Sequence, residues 1–278
     1  MLPSIREAQA YGRTCLAHSN SPDVDVQYLL CHVLTCSPTR LLLDAETDLT
    51  EQQWQDFKHL ITRRQTGEPI AHITGSRGFW SLDLAVNNST LIPRADTELL
   101  VALSLPKLQP GMRIIDLGTG TGAIALSIAH ERPDVTIIAS DFHLQAVKLA
   151  QQNAQSYRLG HVHFFQASWL SACQPAQFDM VISNPPYIEA DDPHLQQGDV
   201  RFEPLSALIS GPDGLDDIRQ IIKQAAICLK PGGWLLIEHG HDQSRAVQQL
   251  FSEAGFVKIS AHQDFGGNDR VVIAQLTL

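Results

Sequence analysis

Cysteine is scarce and unpaired in pattern: Cys15, Cys31, Cys36, Cys173 and Cys228 are odd in number, and no two form a Cys-x-x-Cys pair. A reducing compartment fits this usage better than a disulfide framework. No apolar run approaches the ~20 residues of a membrane span, and Met1 to Ala10 carries Arg6 and Glu7 in place of an apolar signal segment. A soluble, cytoplasmic protein without a membrane partner is expected. Cations are also in deficit, with 20 Lys and Arg against 30 Asp and Glu for a net charge of −10. That balance argues against a chain held on nucleic acid by its overall field, although it is compatible with a local basic cleft. Partners should be recognised by shape and specific contacts. The histidine pairs His161/His163 and His239/His241 have no third ligand nearby in sequence, so ordinary histidines and no metal are expected.

What is present is a globular composition. With 278 residues, 44% hydrophobic and 18% charged, the chain can bury a substantial core and is long enough for two domains or one large one. The first ~75 residues read as short helices. Ile5, Ala8, Tyr11 and Leu16 recur near helical spacing, as do Val26, Leu29, Leu30 and Val33. Thr50 followed by Gln53 predicts a capping box, ahead of an apolar stripe of Trp54, Phe57, Leu60 and Ile61. Around Gly67 turns and period-two alternation take over (Leu82, Leu84, Val86), and Asn87-Asn88 suits a hairpin turn. The expected organisation is a helical domain over residues 1–75, a β-hairpin linker over 76–92, and an α/β domain over 93–278 that begins with a helix at Asp96-Thr97-Glu98.

From Arg113 onward strands and helices alternate, which predicts a parallel, doubly wound sheet with ligands outside the carboxyl ends of its strands. The two last strands have no helix between them and should form an antiparallel hairpin at one edge. Asp116-Leu-Gly118-Thr119-Gly120-Thr121-Gly122 follows an apolar strand and opens a helix, the pattern of a turn that lets a backbone approach a nucleotide-type ligand. Read as G-x-G-x-x-A it also satisfies the dinucleotide fingerprint, and a purely structural turn is the lesser alternative for such a string standing alone. Asp141 ends the next strand, where an acidic side chain meets ribose hydroxyls, unless it serves only as a helix cap. Asn184-Pro185-Pro186-Tyr187 follows the strand FDMVIS, and two prolines there cannot continue it.

The order DLGTGTG, SD, NPPY resembles the Rossmann-like S-adenosylmethionine-dependent methyltransferases that modify planar amide or amino nitrogens. Together with IAHITGSRGFW, TLIPRADTELLV, NPPYIEADDPHLQQGDVRFEPLSAL, GPDGLDDI and KPGGWLLIEHG, it resembles the protein-(glutamine-N5) methyltransferase family that acts on peptide chain release factors, over almost the whole chain. The resemblance implies S-adenosylmethionine as cofactor, with Gly118, Thr119, Gly120, Thr121 and Gly122 wrapping it, Asp141 on its ribose, and Trp169 and Asn184 completing the pocket. It implies the glutamine of a Gly-Gly-Gln loop as substrate, gripped by Asn184, Pro185, Pro186 and Tyr187, of which Asn184, Pro185 and Tyr187 carry the chemistry. Two positions depart from the family: Ala95 stands where proline is usual, and Ser168 where an acidic residue often precedes Trp169. The first should loosen the start of the helix slightly, and the second leaves the contact to the adenine amino group open.

An amide nitrogen is a poor nucleophile because its lone pair is delocalised. The Asn184 side-chain carbonyl and the Pro185 main-chain carbonyl can accept both amide hydrogens and turn the lone pair toward a methyl donor, with Tyr187 as an aromatic wall. Arg201 and Glu203 are candidates for substrate contact or loop ordering, a structural ion pair being an equal alternative. The helical domain and the hairpin around Phe79 and Trp80 are expected to dock the protein substrate. The alternatives are an adenine-N6 nucleic-acid methyltransferase, which the same NPPY chemistry would serve, and a non-catalytic cofactor-binding partner of the translation machinery. No direct nucleic-acid binding is expected.

Overall fold

Two of the helices near the amino terminus begin at capping boxes, in which side chains satisfy main-chain N–H groups that a helix cannot satisfy itself. In a computed structural model describing residues 1–277, Ser4 and Glu7 bond reciprocally ahead of α1 (Ile5–Cys15). After α2 (Pro22–Leu34) and α3 (Pro38–Leu43), Thr50 and Gln53 do the same for α4 (Glu51–Gln65), as the sequence predicts. A short α5 (Ile70–Thr74) follows. The apolar stripes meet in one core containing Ile5, Ala8, Val26, Leu29, Phe57 and Ile61.

By its contacts the chain divides into two compact units, Met1–Ser76 together with Gln196–Phe202, and the rest of the described chain. Inside the first, Arg64 anchors the inserted segment. Its guanidinium is largely buried and bonds Asp25 at 2.8 Å and Asp199 at 3.0 Å. Arg201 donates to the main-chain oxygen of Thr66 at 3.0 Å.

The hairpin consists of β1 (Ser76–Phe79) and β2 (Leu82–Ala85). Its turn is at Trp80-Ser81, with Trp80 at φ 55°, and not at Asn87-Asn88 as the sequence suggested. The apolar residues explain the shift, since Phe79, Leu82 and Leu84 all enter a core of the second unit, which fixes which residues pair and leaves Trp80 at the tip. Buried in this way, Phe79 is not available to dock a substrate.

Next come α6 (Glu98–Ser104), β3 (Arg113–Leu117), α7 (Ala123–Glu131), β4 (Thr136–Asp141), α8 (Leu144–Ser156), β5 (Val162–Gln166), β6 (Phe178–Ser183) and α9 (Asp216–Cys228). The chain ends with β7 (Leu229–Glu238), α10 (Ser244–Glu253), β8 (Phe256–Gln263) and β9 (Asp269–Leu276). The hairpin is sewn to this unit by side chains: Asn153 of α8 bonds both main-chain groups of Ala85, and Trp80 Nε1 donates to Glu131 at 2.9 Å.

The central sheet runs β5-β4-β3-β6-β7-β9-β8. The first five strands are parallel, and β3, β4 and β6 inside the sheet are mostly buried along their length, as strands covered on both faces must be, whereas β5 at the edge exposes His163 and Gln166. β9 pairs antiparallel with β7 and β8, giving the expected terminal hairpin at one edge. The chain leaves β3 toward β4 and β5 and returns on the other side as β6. The crevice at the carboxyl ends of β3 and β6 is therefore the topological switch point where α/β sheets bind ligands. Among the described residues no helix is long and apolar enough to cross a membrane, and all five cysteines are free thiols.

A single 3₁₀ turn, Ala95–Thr97, leads into α6, and Arg94 before it is extended at φ −98° and ψ 144°. Both geometries accept proline at 95, where the N–H has no intrahelical acceptor to lose. Ala95→Pro is expected to stabilise the fold by about 0.4–1 kcal/mol and raise the melting temperature by roughly 1–4 °C. Thermal unfolding measures it.

Candidate active site

Two loops at the switch point build the site. After β3 the backbone turns so that Thr119 N–H donates to Ser140 at 2.9 Å and Gly122 N–H returns to Thr119 at 2.8 Å. Gly122, at φ 87°, forms the cap of α7, and a Cβ there would lie 2.9 Å from Leu126 and 3.3 Å from Ala150. Its role is to let helix and turn approach. Gly118, Thr119, Gly120 and Thr121 line a cavity of about 380 Å³, whereas Gly122 does not. That volume suits one nucleoside-sized ligand.

Buried carboxylates stiffen the loop. Asp116 accepts the Thr119 hydroxyl at 2.6 Å, and burial pushes its carboxyl up to about 7 against the pull of that bond. Asp141, on the cavity wall, accepts Gly120 N–H at 3.0 Å and His143 N–H at 2.9 Å. Burial raises its proton affinity, and the two N–H groups oppose that shift. The carboxylate therefore closes a turn ahead of α8, whose N-cap is His143 without a side-chain capping bond, so it is not the helix cap that the sequence allowed, and it braces the glycine loop against the end of β4.

The second loop starts where β6 stops. Asn184 Nδ2 donates to Thr97 Oγ1 at 3.0 Å, while Asn184 Oδ1 is buried without a hydrogen-bond partner and its residue lines the cavity. Leaving such an acceptor unsatisfied costs about 1–3 kcal/mol, so native folds keep few of them unless a ligand completes the bond. Pro186 is on the cavity wall as well. Pro185 is buried behind it, and Tyr187 is not part of the wall. Tyr187 packs into the core on that face of the sheet and donates its hydroxyl to Glu238 at 3.3 Å, burial holding its proton well above the usual range.

Trp169, at φ 50°, lays its ring beside Gly118, 3.3 Å from where a Cβ on that glycine would be. Its Nε1 donates to Asp217 at 3.1 Å, and Ser210 holds the other Asp217 oxygen at 2.7 Å. Ser168 lines the cavity with no acid of its own, whereas Asp217 and Gln220 of α9 face the same space. Neither was singled out from sequence, although both belong to the GPDGLDDI stretch and its continuation. Thr97 was read only as the start of a helix. Arg201 and Glu203 are separated: Glu203, fully buried, pairs with Arg94 and accepts Ile92 N–H at 2.8 Å, which fixes the segment forming another wall of the cavity.

Gly214 (φ 70°) has a specific reason to be glycine. A Cβ there would fall 2.3 Å from the Tyr187 carbonyl oxygen, which Gln243 also holds at 3.0 Å. Gly214→Ala is expected to displace the NPPY backbone and cost about 1–3 kcal/mol. Chemical denaturation reads this cost, and an unchanged midpoint would contradict the packing described.

The fit to S-adenosylmethionine rests on features of this cavity: a loop that brings backbone close, a carboxylate at the end of β4, an aromatic ring beside the loop and an open carbonyl acceptor at the far side. Comparison with known proteins points the same way. Residues 7–75 match the family described as "PrmC N-terminal domain", and residues 95–199 match "Methyltransferase small domain". The release factor glutamine methyltransferase of Escherichia coli K12 is 52% identical over 262 residues, 94% of each chain. That of Salmonella typhimurium is 48% identical over 263 residues, 94% of this chain and 95% of the other. Among solved structures, a methyltransferase from Pyrococcus furiosus covers 80% of this chain and 98% of its own at 14% identity and TM-score 0.55. The E. cuniculi Mtq2–Trm112 complex, described as methylating the termination factor eRF1, covers 68% of this chain and 99% of its own at 20% identity and TM-score 0.50. These two likenesses speak for the α/β methyltransferase fold alone. At about half identity over nearly the full length of its relatives, this chain belongs to the release factor glutamine methyltransferase family.

Proposed function

We propose that this protein transfers a methyl group from S-adenosylmethionine to the side-chain amide nitrogen of the glutamine in the Gly-Gly-Gln loop of peptide chain release factors. The observation that carries the reading is the Asn184 amide, with its NH₂ end tied to Thr97 and its buried oxygen left without a partner at the cavity wall. An acceptor held in that way suits a carboxamide hydrogen.

S-adenosylmethionine supplies an electrophilic methyl on a positively charged sulfur. The residues that would hold it are Gly118 to Thr121 along the backbone, Asp141 at the ribose and Trp169 beside the loop. Asn184 Oδ1 accepts one hydrogen of the substrate amide at the cavity wall, and the main-chain carbonyl of the next residue, Pro185, whose ring is buried outside that wall, is the proposed acceptor of the other, which localises the nitrogen lone pair and directs it into the cavity. Pro185 has no N–H to compete, and Pro186 limits the substrate's rotation from the wall. Tyr187 works from behind by fixing the loop through Glu238 and Gln243. The protein thus contributes alignment and hydrogen bonding, and the cofactor contributes the activated group. The helical unit is the proposed docking surface for the protein substrate, and the cytoplasm, where release factors work, is the proposed compartment.

The test is incubation with methyl-labelled S-adenosylmethionine and purified release factor, followed by peptide mass mapping. Label on the Gly-Gly-Gln glutamine supports the reading. Label on adenine of added nucleic acid, or cofactor binding without transfer, would replace it.

A further inference from the structure

The orientation of the Asn184 amide decides what the site can do. Turned one way it offers an acceptor to the cavity, and turned the other way a donor of nearly identical shape, so only its neighbours choose. The neighbour is Thr97, whose Oγ1 lies 3.0 Å from Asn184 Nδ2 and whose residue is 5% exposed. A hydroxyl alone does not settle the choice, because it can accept from the amide NH₂ or donate to the amide oxygen. What settles it is where the Thr97 hydrogen goes.

Beside Thr97, at the end of β7, is Glu238. It is 1% exposed, its Oε1 accepts the Tyr187 hydroxyl at 3.3 Å, its Oε2 is buried with no hydrogen bond formed, and the Thr97 hydroxyl is close enough to favour its charged form. An ionised carboxylate is acceptor-only and draws the Thr97 hydrogen. Thr97 then has only a lone pair to offer Asn184, and the Asn184 oxygen is left for the cavity. A protonated Glu238 can donate to Thr97, whose hydrogen then turns to Asn184 and favours the inverted amide. We propose that Glu238 and Thr97 form a buried polarity relay that sets which end of the Asn184 amide faces the cavity, making both positioning residues for methyl transfer.

The surroundings support a relay that titrates. Burial pushes the Glu238 carboxyl up to about 7, and nearby Asp96 adds to that shift, while the Thr97 hydroxyl, Arg270 and the Tyr187 hydroxyl favour the charged form. Arg270 is itself engaged by Asp264 and Asp96. These groups come from the 3₁₀ turn before α6, the NPPY loop and β9, while β6, paired with β7 on its other side, brings the neutral Ser183 next to Ile237. Because the ionised form sets the productive orientation, the rate should rise with pH through a single ionisation near 7.

This inference rests on the proposed role of Asn184 as acceptor of the substrate amide. The experiment is single-turnover methylation of release factor at saturating cofactor, from pH 6 to 9, for the wild type, Thr97→Val, Thr97→Ser, Glu238→Gln and Asn184→Ala. Thr97→Val is expected to lose roughly 10- to 100-fold at pH 8 with unchanged cofactor affinity. Thr97→Ser, which keeps the hydroxyl, should restore most of the rate and the pH dependence. Glu238→Gln should flatten the rise near pH 7. A wild-type rate in Thr97→Val, or a pH rise that persists in Glu238→Gln, overturns the relay. If Thr97→Val does not fold, the Thr97→Ser and Glu238→Gln profiles carry the test. An inert Asn184→Ala substitution would instead remove the underlying reading of the site, whereas a severe Asn184→Ala loss beside an inert Thr97→Val removes the relay alone.

Discussion

Asn184→Ala is expected to slow methyl transfer roughly 10²- to 10³-fold in single turnover while cofactor affinity changes little. The magnitude follows from the loss of one preorganised group aimed at the reacting atoms in a site screened from water. Asn184 Oδ1 is already desolvated, so its bond to the substrate amide needs no further reorganisation, and an alanine leaves one amide hydrogen unpaired where the lone pair must be localised. The loss should appear in the chemical step because the glycine loop and Asp141, on neighbouring strands, are untouched. Rates measured at saturating S-adenosylmethionine test this. Turnover near wild type would take Asn184 out of the chemistry.

Asp141→Ala should show the opposite division, weakening S-adenosylmethionine binding about 10- to 100-fold with a much smaller effect on the saturated rate. A hydrogen bond to a carboxylate is worth more than one between neutral groups, about 1.5–3 kcal/mol. The side chain also accepts Gly120 and His143 N–H groups, so its removal loosens the glycine loop as well as the ribose contact. Asp141→Asn keeps one acceptor oxygen but puts an NH₂ donor where the second oxygen accepted a main-chain N–H, and it should lie between alanine and wild type. Titration calorimetry separates the cases, and an unchanged dissociation constant for the alanine variant would place the ribose elsewhere.

Local and periodic features were legible in the sequence. The Thr50–Gln53 capping box, the alternation of strands and helices that implies a parallel sheet, the glycine turn and the antiparallel pair at the end all depend on residues near one another in the chain. What was missed depends on pairing across long separations. Asn184 meets Thr97, Glu203 meets Arg94, and Arg64 meets Asp199, and no spacing rule connects such residues. The same limit hid the placement of Gln196–Phe202 with the helical unit, since only the Arg64 and Arg201 contacts reveal where that segment belongs.

The hairpin shows a different kind of gap. Asn-Asn is a good turn on local grounds, yet burial of Phe79, Leu82 and Leu84 fixes the pairing and forces Trp80 into the left-handed region. Core packing overrode turn preference there. Motif reading likewise pointed to Tyr187 as a wall of the pocket, whereas the geometry gives it a hydroxyl bond to Glu238 behind the pocket. Gly122, grouped with the loop by its motif, serves helix packing instead.

The most direct measurement is a crystal structure of the protein with S-adenosylhomocysteine and a peptide containing Gly-Gly-Gln. The expected result is the glutamine nitrogen within hydrogen-bond distance of both Asn184 Oδ1 and the Pro185 carbonyl, with its remaining face toward the sulfur. A glutamine bound outside this cavity, or Asn184 presenting its NH₂ end to the substrate, would contradict the account.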